Sequence, residues 1–96
     1  MLTSKQRAFL RGLASTQNTV FQIGKGGLSD NQILEIERLL EAHELVKIHV
    51  LENAPYTARE ASIIMVEKLG AECVQVIGRK FVLWRETEDS PKLLTT

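Results

Sequence analysis

The chain has 96 residues, 44% of them hydrophobic and 25% charged, with twelve basic and twelve acidic side chains and a formal net charge of zero. That is the size and make-up of one domain with its own core. It excludes a disordered or disulfide-stapled chain, since Cys73 has no partner cysteine. Lys5 and Arg7 break the opening "MLTSKQRAFL" and Arg11 follows it, so it does not read as a secretory leader. No apolar run approaches a membrane span, and the expected compartment is a reducing cytoplasm.

The first predicted element is a helix. Thr3-Ser4-Lys5-Gln6 is a capping box, and Phe9, Leu10, Leu13 and Ala14 follow at helical spacing. A short strand comes next, "TVFQI" at residues 19–23, and then the glycine-rich "GKGGL". Ser29-Asp30-Asn31-Gln32 opens a second helix with its stripe at Ile33, Ile36 and Leu40. In "LVKIHVL", residues 45–51, Val46, Ile48 and Val50 fall on one face of a strand and Lys47 and His49 on the other. Thr57-Ala58-Arg59-Glu60 opens a third helix, carried by Ala61, Ile64, Met65 and Leu69, with Gly70 placed to end it. Two last strands, "CVQVI" at 73–77 and "KFVLWR" at 80–85, are joined by a tight turn at Gly78-Arg79. The order is α-β-α-β-α-β-β. Strands joined through helices and closed by a hairpin imply a layered α/β domain with a mixed sheet. Residues 87–96 are polar and aperiodic, and they read as a flexible tail on a domain of residues 1–86.

The neutral total hides a segregation. Residues 1–28 carry Lys5, Arg7, Arg11 and Lys25 and no acid. Residues 29–72 carry nine acids and four basic residues; residues 73–85 carry Arg79, Lys80 and Arg85 and no acid. Such a chain can fold with one basic and one acidic side, although segregation in sequence can also scatter in space.

Enzyme readings find little support. His43 and His49 lie six apart, outside the zinc-binding His-Glu-x-x-His pattern, and Cys73 is distant from both. No serine sits in a nucleophile-elbow sequence, and no pair of carboxylates stands out. No catalytic residue, metal or cofactor is expected.

Gly24-Lys25-Gly26-Gly27 is shorter than a P-loop, which needs four residues between its first glycine and the Gly-Lys pair. It is a Gly-x-x-Gly loop before a helix N-terminus. Glycines let backbone amides approach a phosphate, the helix start favours an anion, and Lys25 adds a charge. The same device clamps nucleic-acid backbone in KH domains. By itself the spacing favours a plain turn, and Asp30 in the helix's first turn competes with an anion. The second strand-to-helix loop, "ENAPY" at 52–56, has a glutamate and neither glycine nor lysine. A second basic cluster is "GRKFVLWR", with Arg79 and Lys80 at the turn. Its Trp84 can stack on a base or fill the core.

The blocks "LTSKQRAFLRGLA", "QIGKGGL", "EAHELVKIHVLEN" and "VQVIGRKFVLWR" occur here in the order and spacing of the YhbY-like family. The chain resembles that family over about residues 2–85: small RNA-binding proteins built on the CRM domain, named for chloroplast RNA splicing and ribosome maturation. The resemblance implies a single two-layer α/β domain, a four-stranded mixed sheet packed on helices, similar to the C-terminal domain of translation initiation factor three. It implies RNA binding without catalysis and association with large-subunit precursors. Family members often carry His and Lys-Pro between the first helix and first strand, where this chain has "STQNTV", so a positive charge is missing there.

The residues expected to meet RNA are Gly24, Lys25, Gly26 and Gly27, with Lys5, Arg7, Arg11, Lys47, Arg79 and Lys80 around them. The expected partner is ribosomal RNA, with no membrane and no small-molecule substrate, and the chain is expected to be a monomer. The rival reading is a protein-interaction module that uses the acidic middle segment and makes no RNA contact.

Overall fold

Each of the three helices starts on the capping box placed there by sequence. In the computed structural model, which describes residues 2–87 and residue 93, α1 spans Ser4–Ser15, α2 Asp30–His43 and α3 Ala58–Leu69. The hydroxyls of Thr3, Ser29 and Thr57 accept from the amides of Gln6, Gln32 and Glu60, at 3.1, 3.3 and 3.1 Å. The side chains of those three residues accept in return from the cap amides. Each box satisfies two otherwise orphaned donors, and a cap of this kind contributes about 1 kcal/mol. Gly70 ends α3 in the left-handed region at φ 63°, as its position implied.

The strands are β1 Phe21–Ile23, β2 Leu45–Val50, β3 Glu72–Ile77 and β4 Lys80–Trp84. They form one four-stranded sheet in the order β1-β2-β4-β3. β1 and β2 are parallel, joined by the α2 crossover, and the other neighbours are antiparallel. This is the expected α/β order and mixed sheet. β1 is shorter than expected, although the Val20 amide still donates to the Lys47 carbonyl at 3.1 Å.

The two-layer expectation describes the sheet with α2 and α3, and α1 adds partial cover on the opposite face. Val46, Ile48, Val50, Phe81 and Leu83 point into the larger core with Ile36 and Leu40 of α2 and Ala61 and Met65 of α3. Strand alternation sends Leu45 and Val82 the other way, where they meet Leu10 and Ala14 of α1. A register shift between Cys73 and Gln75 marks a bulge in β3, and Val74 joins this smaller core. Trp84 packs against it too, so this side chain serves the core.

Glu44, between α2 and β2, is a buried carboxylate on a residue with φ 69°, the one described non-glycine in that region. Its Oε2 accepts from Trp84 Nε1 at 2.9 Å and from the Leu93 amide at 3.1 Å. Its amide donates to the Leu40 carbonyl at 2.8 Å, and its carbonyl accepts from the Arg85 amide at 3.0 Å. Four hydrogen bonds hold the strained backbone in place. Glu44→Ala keeps the backbone strain and removes the acceptor of two part-buried donors, so it is expected to cost about 2 kcal/mol and to change Trp84 fluorescence. Chemical denaturation followed by tryptophan emission measures both. Most of the proposed tail lies outside the described residues. Of those described, Thr87 is buried and Leu93 packs on the smaller core.

Candidate nucleic-acid interface

The Gly-x-x-Gly segment leaves β1 at Ile23, whose partner is Val50 at the end of β2. It closes as a turn in which the Gly27 amide donates to the Gly24 carbonyl at 3.0 Å, with Lys25 and Gly26 at its centre. The amides of Lys25 and Gly26 make no hydrogen bond among the described residues. The Gly27 amide, expected to share in holding a phosphate, is committed to the turn. The start of α2 is also largely occupied, because its capping box uses the Ser29 and Gln32 amides and Asp30 adds a carboxylate. Any anion held here therefore rests on the turn's own two amides and the exposed Lys25 side chain.

The three loop glycines differ in what they require. Gly27 has φ +71°, and a Cβ on it would lie 3.2 Å from Pro55 Cγ and 3.4 Å from the Tyr56 ring. The 52–56 loop, distant in sequence, packs against Gly27 through Pro55 and Tyr56. Gly26 lies outside the left-handed region, and a Cβ there would meet nothing within 4 Å. Nothing in the chain itself demands glycine at 26, whereas a ligand backbone approaching the turn would. Gly27→Ala is expected to cost about 1–2 kcal/mol, because it places a side chain in the left-handed region against Pro55 and Tyr56. Gly26→Ala is expected to leave thermal stability within about 0.5 kcal/mol of the parent. Melting curves of the two variants make the comparison.

Three of the expected cations converge in a groove on the α1 side of the sheet. The groove, of about 300 Å³, is lined by Arg11 and Ser15 of α1, Lys47 of β2, Gln75 and Ile77 of β3, and Lys80 and Val82 of β4. It holds three cations and no acid. Lys47 Nζ donates to the Ala14 carbonyl at 3.1 Å and reaches the Gln17 carbonyl at 3.5 Å, so it also caps the C-terminal end of α1. Arg11 and Lys80 are exposed and take part in no ion pair among the described residues. The larger concavity, about 470 Å³ between the 52–57 loop and the hairpin turn, carries Glu52 and Glu60 against Arg79 alone and suits an anion poorly.

The remaining expected residues stand apart in different ways. Arg7 donates to the Cys73 and Val74 carbonyls at the β3 bulge and so fastens α1 to the sheet. Arg79 reaches Glu52 at 3.3 Å in an exposed pair, which solvent weakens enough for a stronger anion to compete. Lys5 lies at the far end of α1, beyond Arg7, where Glu72 accepts from the Leu2 amide. Arg85 is held on the opposite side by Glu37, Glu41 and the Leu69 carbonyl.

Charge separates across the sheet. α1 carries three cations and no acid, whereas α2 and α3 together carry six acids and three permanent cations. Sequence reasoning missed Ser15, Gln75 and Ile77, which line the groove with the cations. Only the position of α1 brings them together with Arg11. No cluster of His, Cys, Asp and Glu among the described residues could hold a metal ion. No helix among them is long and apolar enough to cross a membrane.

The model of the CRS1/YhbY (CRM) domain matches residues 2–85. The chain is 39% identical over 93 residues to a Bacillus subtilis protein named "Probable RNA-binding protein YqeI", covering 97% of each chain. It is 37% identical over 89 residues to a Haemophilus influenzae protein named "RNA-binding protein", covering 93% of this chain and 90% of that one. The solution structure of the hypothetical protein SAV1595 from Staphylococcus aureus superposes with a TM-score of 0.77 at 44% identity, over 93% of each chain. With the family's blocks carried over nearly the whole fold, this chain belongs to the CRS1/YhbY (CRM) domain family.

Proposed function

We propose that this domain binds RNA without catalysis, with the Lys25-Gly26 turn holding a backbone phosphate and the Arg11-Lys47-Lys80 groove extending the contact. The carrying observation is an exposed turn with two unbonded amides together with an acid-free cationic groove on the same domain. Relatives named for RNA binding support the same reading. Such contacts follow the shape and backbone of a ligand more than its sequence.

The finer proposal is that the ligand is ribosomal RNA in precursors of the large subunit, met by a monomer in the cytoplasm. It rests on the family resemblance. Ultraviolet crosslinking in cells tests it, with crosslinks expected to concentrate on large-subunit RNA of precursor particles. An even spread over unrelated transcripts would remove the ribosomal assignment. With three or four phosphates neutralised, log K against log salt is expected to fall with a slope of about −2 to −3. A flat response, together with binding to ribosomal proteins alone, would favour the protein-interaction reading.

A further inference from the structure

We infer that the strip of sheet left open beside α1 seats unpaired nucleotides, with His49 as its stacking surface and Gln22 as its base-edge contact. The inference rests on the RNA-binding reading above and narrows it to single-stranded segments.

The strip is a row of paired residues crossing the whole sheet. Gln22 of β1 pairs with His49 of β2, His49 with Lys80 of β4, and Lys80 with Ile77 of β3. All four face the side of α1, since their strand neighbours Ile23, Val50 and Phe81 point into the larger core. The cover given by α1 stops short of this row. Leu10 and Ala14 pack over Leu45, Val74 and Val82, nearer the other end of the strands. Gln22 and Lys80 are exposed, Ile77 is 63% exposed, and His49 is half-buried.

The chemistry of the row suits bases, and its flanks suit phosphates. Four strands at about 4.8 Å spacing make a row about 14 Å long. The four-stranded sheets of other RNA-binding modules seat two or three splayed bases, and histidine is among the rings on which bases stack. A glutamine amide presents a donor and an acceptor side by side, which matches the paired acceptor and donor of an adenine edge. Ile77 offers an apolar surface to a base or sugar. Lys25 and Gly26 follow Gln22 by three and four residues, past the end of β1, and Arg11 lines the groove with Lys80 and Ile77. No acid interrupts the groove, so charge complementarity selects a polyanion. In a duplex the bases stay within the stack and cannot lie on such a row.

The test compares a short unpaired oligoribonucleotide of mixed sequence with the same sequence annealed to its complement. Binding of both to the full chain is followed by fluorescence anisotropy across a salt series. The wild type is expected to prefer the unpaired form. His49→Ala is expected to weaken that form by about 10-fold and to leave the salt slope unchanged, because stacking is lost and no phosphate contact is. His49→Phe keeps a ring and is expected to keep the affinity, which separates stacking from a folding defect. Gln22→Ala, on an exposed edge-strand position, is expected to flatten the preference among homopolymers. Equal binding of both forms, with His49→Ala indistinguishable from wild type, overturns the strip and leaves the RNA-binding reading standing. Absence of salt-dependent binding to either form overturns that reading itself.

Discussion

Lys25→Glu is expected to reduce RNA affinity by at least about 10-fold at moderate salt and to make the salt slope shallower by about 1 to 2, with the melting temperature unchanged. The side chain is exposed, sits at the centre of the turn and makes no ion pair among the described residues, so the fold loses nothing when it changes. The ligand site loses its nearest cation and gains an anion beside the amides of Lys25 and Gly26. Electrophoretic shift or anisotropy across a salt series, paired with a thermal melt, reads both quantities. A folded Lys25→Glu that binds as tightly as wild type would move the phosphate contact off this turn. Arg79→Ala provides a graded comparison. Its charge is already shared with Glu52, so its removal is expected to lower affinity less than the change at Lys25.

Phe81→Ala is expected to give the largest loss of stability of any single truncation in the chain, about 3–5 kcal/mol. The ring is fully buried on β4, an interior strand flanked by β2 and β3, and it points into the core beneath α2 and α3. Removing it opens a cavity where rigid sheet backbone on one side and packed helices on the other resist collapse. Domains of this size are stable by roughly 5–15 kcal/mol, so the variant is expected to approach global unfolding near physiological temperature. Urea denaturation followed by circular dichroism measures the shift in midpoint. Because β4 also carries Lys80 and Val82 on the α1 side, binding is expected to fail together with folding in this variant. Lys25→Glu, in contrast, uncouples the two.

Much of the architecture was legible because it depends on short-range chemistry. Three capping boxes, the helical stripes after them, the alternation in β2 and the Gly78-Arg79 turn each act within a few residues, and each appears where it was read. The limits of β1 were harder to read. A three-residue edge strand is defined by its pairing with β2, and its own composition does not mark where that pairing stops. Buried Glu44 was read only as one acid among nine in its segment. No local pattern signals that Trp84, forty residues later, supplies a donor to it.

By itself, the sequence determined the order of helices and strands, the segregation of charge along the chain and the presence of a Gly-x-x-Gly turn. These follow from capping, periodicity and composition, which are properties of neighbours. Only the tertiary structure decided how the cations are used. Packing α1 on one face and α2 with α3 on the other separates basic from acidic helices. It brings Arg11, Lys47 and Lys80 together from three elements and turns Arg7 inward to the β3 carbonyls. It also divides the glycines, tying Gly27 to the fold through Pro55 and Tyr56 and leaving Gly26 open. The reason is that burial is decided by which faces cover one another, and that depends on contacts between residues far apart in the chain.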